Sequence, residues 1–188
     1  MKAIAIVGSP RKNGNTEILA KHTLKAIEEE GVDTELIRLA GLDIQPCTAC
    51  MVCEKKEWCP IKDDLFPIYT KMKEADAIIF ASPVYFGSAT PQIKALMDRT
   101  GYIAVWNGRV FDRKVGGSLA VGERDGQNFT LAQLDFWFHQ IGCFIVGSTG
   151  CNVAFGNEKG EVEKDEVGLK IVWNFGKNVA FLVKKLKT

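Results

Sequence analysis

Lys2-Ala3-Ile4-Ala5-Ile6-Val7-Gly8-Ser9-Pro10-Arg11-Lys12-Asn13-Gly14-Asn15-Thr16 opens the chain with a hydrophobic run that gives way to a polar loop. Residues 2–7 are mostly small or β-branched apolar residues, the pattern of a buried strand. Past the loop, Ile18, Leu19, Thr23, Ala26 and Ile27 recur on one face of a helix. Strand, donor-rich loop and helix together seat a phosphate on a helix N-terminus, where backbone N–H groups converge and the dipole favours an anion. The loop lacks the Gly-Lys-Ser/Thr of a Walker A motif and the G-x-G-x-x-G of a dinucleotide fold. An ordinary βα turn would account for its Gly and Asn residues, but not for Ser9, Arg11 and Thr16 together.

The same alternation continues along the chain. Strands are expected at 34–39, 77–81, 115–121 and 144–146. Helices are expected from Asp63 or Asp64 to Met72, from Thr90-Pro91 to about Thr100, from Leu131 to Ile141 and from Asp165 to Lys185. Residues 101–113 read as irregular, and residues 149–164 as a polar extension without an element. Strands alternating with helices predict a doubly wound α/β domain, a parallel sheet covered on both faces. The whole chain, 1–188, reads as one such domain. Ligands on these sheets bind beyond the carboxyl ends of the strands. Loops 8–16, 82–90 and 122–127 fall there, and a cysteine-rich loop, 45–62, follows the second strand. All four are expected on one edge. The first fits a phosphate, while the second and third offer backbone amides, aromatic rings and Arg124 to a flat heterocycle. Tyr85 and Phe86 also suit a core, and Arg124 a solvated loop.

Four of the six cysteines lie within thirteen residues, as Cys47, Cys50, Cys53 and Cys59. Disulfides among such close neighbours gain little loop-closure entropy. Spacing of C-x2-C-x2-C-x5-C followed by Pro60 favours a [4Fe–4S] cluster. Structural zinc and plain or redox thiols remain the alternatives. Cys143 reads as core and Cys151 as a loop thiol. His22 and His139 read as packing or surface residues. Trp58 either shields the cysteine loop from water or anchors a subunit contact.

Bulk composition narrows the class. With 24 basic and 23 acidic residues the net charge is +1, which argues against a nucleic-acid binder or a polybasic membrane surface. Apolar runs are strand-sized, and the N-terminus lacks a signal-peptide pattern, so a cytoplasmic location is expected.

Gly8-Ser9-Pro10-Arg11…Gly14-Asn15-Thr16 and Ser82-Pro83-Val84-Tyr85-Phe86-Gly87 resemble the flavin mononucleotide (FMN) loops of NADPH-dependent FMN reductases. With the compact cysteines added, the chain resembles the iron–sulfur flavoproteins of anaerobic archaea and bacteria. The resemblance implies a flavodoxin-like fold, a five-stranded sheet of order 2-1-3-4-5. It implies FMN-phosphate contacts from Ser9, Arg11, Asn13, Asn15 and Thr16. Isoalloxazine contacts follow from Pro83, Val84, Tyr85, Phe86 and Gly87 and from Gly122, Arg124 and Gly126. Cluster ligation falls to Cys47, Cys50, Cys53 and Cys59. Relatives commonly carry an acidic residue after the third loop's Gln, where this chain has Asn128.

The expected function is electron transfer between a [4Fe–4S] cluster and FMN, the cofactors carrying the chemistry without a catalytic side-chain set. A ferredoxin-like donor is expected by analogy, near Lys55, Lys56 and Lys62, with a small acceptor. A homodimer or homotetramer is expected, with no nucleic-acid or membrane partner. The rivals are an NAD(P)H-dependent FMN or quinone reductase without a cluster, and a non-enzymatic redox sensor built on the cysteine loop.

Overall fold

A computed structural model describes residues 1–187. Strands β1 (Lys2–Val7), β2 (Asp33–Arg38), β3 (Ala77–Pro83), β4 (Val115–Gly122), β5 (Phe144–Ile145) and β6 (Val153–Phe155) alternate with helices. The helices are α1 (Asn15–Glu29), α2 (Leu65–Glu74), α3 (Pro91–Trp106), α4 (Gln127–Ile141) and α5 (Glu166–Lys187). All sheet pairings are parallel, in the order β2-β1-β3-β4-β5. This is the doubly wound, flavodoxin-like order expected. β1 and β3 at the centre are apolar at nearly every position because both faces are covered.

The position beyond β4 is shared by two strands. β5 pairs with the first residues of β4, at Val115 and Gly116. β6 pairs with the last three, at Ala120, Val121 and Gly122. The extension at 149–164 therefore contains a sixth strand, followed by a short 3-10 turn at Glu161–Lys164. Three residues are too few for alternation to reveal a strand.

One face of the sheet packs α1 and α5 against Ala3, Ala5, Val7, Ile79 and Leu119. The other packs α2, α3 and α4 against Ile4, Ile6, Ile78 and Phe80. β4 admits bulky rings from both sides through adjacent glycines. A Cβ on Gly116 would stand 2.5 Å from Phe138, and one on Gly117 2.5 Å from Phe175. Helix α3 extends past its expected end at Thr100 to Trp106. Gly101 does not break it, because it makes room for Trp137, whose indole N–H donates to the Met97 carbonyl at 2.7 Å.

Candidate functional site

At the carboxyl ends of β1, β3 and β4, a cleft is lined by Ser9, Arg11, Asn15, Thr16, Pro83, Val84, Tyr85 and Gly122. The strand register brings the loops together. The Gly8 amide donates to the Ala81 carbonyl at 2.8 Å, and the Thr90 hydroxyl to the Gly8 carbonyl at 2.8 Å. A Cβ on Gly8 would stand 2.8 Å from that hydroxyl, so this close approach requires glycine. Buried Ser9 accepts a bond from the Arg11 amide at 3.2 Å, which curls the loop back toward the helix. Gly14 precedes α1 and supplies no side-chain cap. The first-turn N–H groups of any helix lack intrahelical acceptors. An uncapped helix start whose first two residues line a cleft beside Arg11 fits a phosphate.

Asn13 stands at the tip of this loop in a left-handed conformation, φ 53°. Its amide donates to Glu17 at 2.8 Å rather than facing the cleft lining. Glu17 is buried and paired with Arg38 and Lys21, both at 2.7 Å. The Arg38 guanidinium, with help from Lys21 and the Asn13 amide, overcomes the cost of burial and holds its carboxyl down at about 2.

A further wall of the cleft, in contact with the phosphate loop, comes from Gly156 and Asn157, in the extension the sequence left without an element. Asn15 ties that wall down. Its side-chain amide donates to the Glu158 carbonyl at 2.8 Å and accepts from the Gly160 amide at 2.8 Å. Arg11 donates to the Asn157 carbonyl at 3.1 Å. The Asn15 side chain thus shapes the cleft by holding this wall. The signal in the sequence was Gly156, set one residue past an apolar triplet at 153–155.

Tyr85 and Ser88 bond to each other's backbone at 2.8 and 3.1 Å, closing a two-residue turn over Phe86 and Gly87. Both turn residues have positive φ, 49° and 75°. The turn lifts the Phe86 ring fully into solvent, while Tyr85 lines the cleft half-exposed. Gly126 starts α4 and packs so close to the turn that a Cβ would stand 3.0 Å from the Gly87 backbone. Arg124 is exposed and outside the cleft lining. Glu123 lines the cleft in its place.

The cysteine loop leaves β2 and builds a second cavity. Cys47, Cys50, Cys53 and Cys59 line it together with Met51, Trp58, Pro60, Ile61, Arg99, Tyr102 and Ile103. Ala49 and Met51, on either side of Cys50, both hold left-handed conformations, φ 53° and 58°, so the loop is tightly coiled there. Burial pushes the Cys53 thiol up. Among the described residues, no three His, Cys, Asp or Glu side chains converge on a single metal ion. Trp58 contributes to the lining, with Lys56 4.3 Å above its ring.

Arg99 is the residue here that sequence reasoning missed. It is 2% exposed and sits in the core-facing stripe of α3. The visible signal was a charged residue at a core position, between Leu96 and Ile103. Its guanidinium forms a two-pronged ion pair with Asp63 and donates to the Gln45 carbonyl at 3.0 Å. Burial alone would raise the Asp63 carboxyl, but Arg99 and the amides of Gln45 and Leu65 hold it below its ordinary value.

Among the described residues, none lines both cavities. Arg99 lies eight residues into α3, about 12 Å along the axis from the end that meets the cleft. At the far end of α3, Asn107 donates to the Cys53 carbonyl at 2.9 Å. The cysteine loop therefore starts at the carboxyl edge of the sheet and runs back beside α3, off the rim where the sequence placed it.

Of the remaining polar candidates, His22 packs on Trp173 with ring centroids 4.9 Å apart. The Cys143 thiol, bonded to the Phe111 carbonyl, is pushed up by burial to about 12. Cys151 is exposed. Among the described residues no helix is long and apolar enough to cross a membrane.

Residues 1–158 match the family described as NADPH-dependent FMN reductase. An iron–sulfur flavoprotein of Methanocaldococcus jannaschii is 42% identical over 194 residues, covering 100% of both chains. The crystal structure of RosB with the bound intermediate 8-demethyl-8-formylriboflavin-5′-phosphate superposes with a TM-score of 0.82 at 20% identity, over 100% of this chain and 80% of that one. A flavodoxin from the domain Archaea superposes with a TM-score of 0.67 at 18% identity, over 98% of this chain and 99% of that one.

Proposed function

The chain belongs to the NADPH-dependent FMN reductase family of flavin oxidoreductases, and on that footing we propose that it passes electrons between a [4Fe–4S] cluster and FMN. The observation that carries this reading is that all four motif cysteines line one cavity, in a chain that builds its phosphate-ready cleft elsewhere. The name of the 42% identical relative, iron–sulfur flavoprotein, supports it.

Ser9, Arg11, Thr16 and the first turn of α1 would hold the flavin phosphate. Pro83, Val84, Tyr85 and Gly122 would flank the ring system, which Phe86 reaches from the turn tip. Cys47, Cys50, Cys53 and Cys59 would ligate the cluster. When bound, FMN supplies a carrier of one or two electrons and the cluster a one-electron carrier. The protein's own share is to exclude water and fix position. Trp58, Ile61 and Ile103 give the cysteine cavity apolar walls, and the Asn15-anchored segment closes the flavin cleft.

A small acidic donor of ferredoxin type fits the exposed Lys55 and Lys62 beside the cysteine loop. Half-exposed Tyr102 and Trp106 on α3, next to that loop, support assembly into a homo-oligomer.

Anaerobic purification with flavin, iron and sulfide quantified tests the proposal. The expected yield is about one FMN and about four iron and four sulfide per chain. Flavin without iron would turn the reading toward a plain FMN or quinone reductase, and zinc in place of iron toward a structural metal loop. Light scattering of the same sample reads the assembly state.

A further inference from the structure

We propose that Arg99 is a positioning residue for the iron–sulfur centre, its guanidinium held by Asp63 so that it hydrogen-bonds the Cys59 sulfur and sets the centre's reduction potential. The inference rests on the cluster reading above.

Three observations support it. The Nη2 group of Arg99 lies 3.3 Å from the Cys59 sulfur, within reach of a hydrogen bond to sulfur. The same Nη2 bonds Asp63 at 3.1 Å, and Nη1 bonds Asp63 and the Gln45 carbonyl, so the fork cannot swing away. The Nε–H is buried with no partner, on a side chain that lines the cysteine cavity. Leaving a buried donor on a charged group without a partner is destabilising. An anionic sulfur acceptor in the cavity would remove that cost.

The electrostatics give the pair a sign. Arg99 and Asp63 are both buried and together neutral. Reducing a cluster adds one negative charge beside them. The guanidinium stabilises that charge and the carboxylate opposes it, and net charge and hydrogen bonds to sulfur are what tune such potentials. Removing Arg99 leaves an uncompensated carboxylate near the centre. Removing the charge of Asp63 leaves an uncompensated guanidinium.

The test is EPR-monitored redox titration of the anaerobically purified holoprotein, with iron and sulfide counted in each sample. Asp63→Asn removes the charge and keeps one oxygen, which can accept from the Gln45 or the Leu65 amide but not from both, and is expected to raise the potential. Arg99→Gln is expected to lower it. Each shift should change the oxidised-to-reduced ratio at fixed potential about tenfold, roughly 59 mV for a one-electron couple. Arg99→Lys, which keeps the charge, should restore most of the wild-type value. A role in fold maintenance alone would lower cluster content in both variants without moving the potential in opposite directions. If Arg99→Gln retains no cluster, Asp63→Asn decides: a rise supports the proposal, and an unchanged or lower potential overturns it. Wild-type potential in all loaded variants overturns it while leaving the cluster reading intact. A wild-type protein without iron and sulfide overturns both.

Discussion

Phe86 holds a left-handed backbone conformation that costs an L-residue roughly 1–2 kcal/mol, and holds it with its ring entirely in solvent. The paired backbone bonds of the Tyr85–Ser88 turn hold that conformation, and the exposed ring stands free to contact a group bound over the cleft. Phe86→Asn, better suited to this conformation, should stabilise the flavin-free protein by about 1 kcal/mol in chemical denaturation. The same variant should retain FMN less tightly in a fluorescence titration. Glu17 makes the opposite kind of contribution. Its carboxyl ionises near 2 in the folded chain, against 4.5 ordinarily, so the folded state binds that proton more weakly than the unfolded state. The stability it contributes is complete above about pH 4.5 and is lost as pH falls toward 2. Glu17→Gln should cost about 1–2 kcal/mol at neutral pH and flatten the stability–pH curve across that window.

At the scale of elements, the cleft depends on a segment without regular structure. Residues 156–162 are held against α1 by buried Val162 and by the two-way bonding of the Asn15 amide. Asn15→Ala should cost about 1–3 kcal/mol by leaving buried groups unbonded, speed amide exchange across 156–162, and weaken FMN retention. This dependence was not legible in the sequence. The strand–loop–helix at 2–29 was, because buried strands and amphipathic helices write their periods into apolar residues. Ser9, Arg11, Thr16, Pro83, Val84, Tyr85 and Gly122 were found for the same reason: each follows the end of a legible strand. Asn157 was not, since β6 is three residues long and its pairing partner lies thirty-three residues earlier. Arg99 was hidden differently, inside a helix whose period called for an apolar side chain. The path of the cysteine loop beside α3 is set by long-range bonds, Asn107 to Cys53 and Arg99 to Cys59, which spacing cannot show.

Across the whole molecule, two cores meet through a sheet that is thinnest at β4. Gly116 and Gly117 let Phe138 and Phe175 approach the backbone from opposite sides. Gly117→Ala should cost about 1–3 kcal/mol by overpacking against Phe175 and lower the thermal midpoint, with little change in the cysteine cavity on the other face. The long closing helix supplies that ring and also covers α1, where Gly176 lies 2.6 Å, measured from an ideal Cβ, off the Thr23 carbonyl. Helix α1, whose first residues line the cleft, is thus clamped by α5. During synthesis on a ribosome, the first thirty residues would emerge with every anion-binding group already present and nothing to hold them in place. A nascent chain should therefore capture no flavin until α5 has folded onto α1.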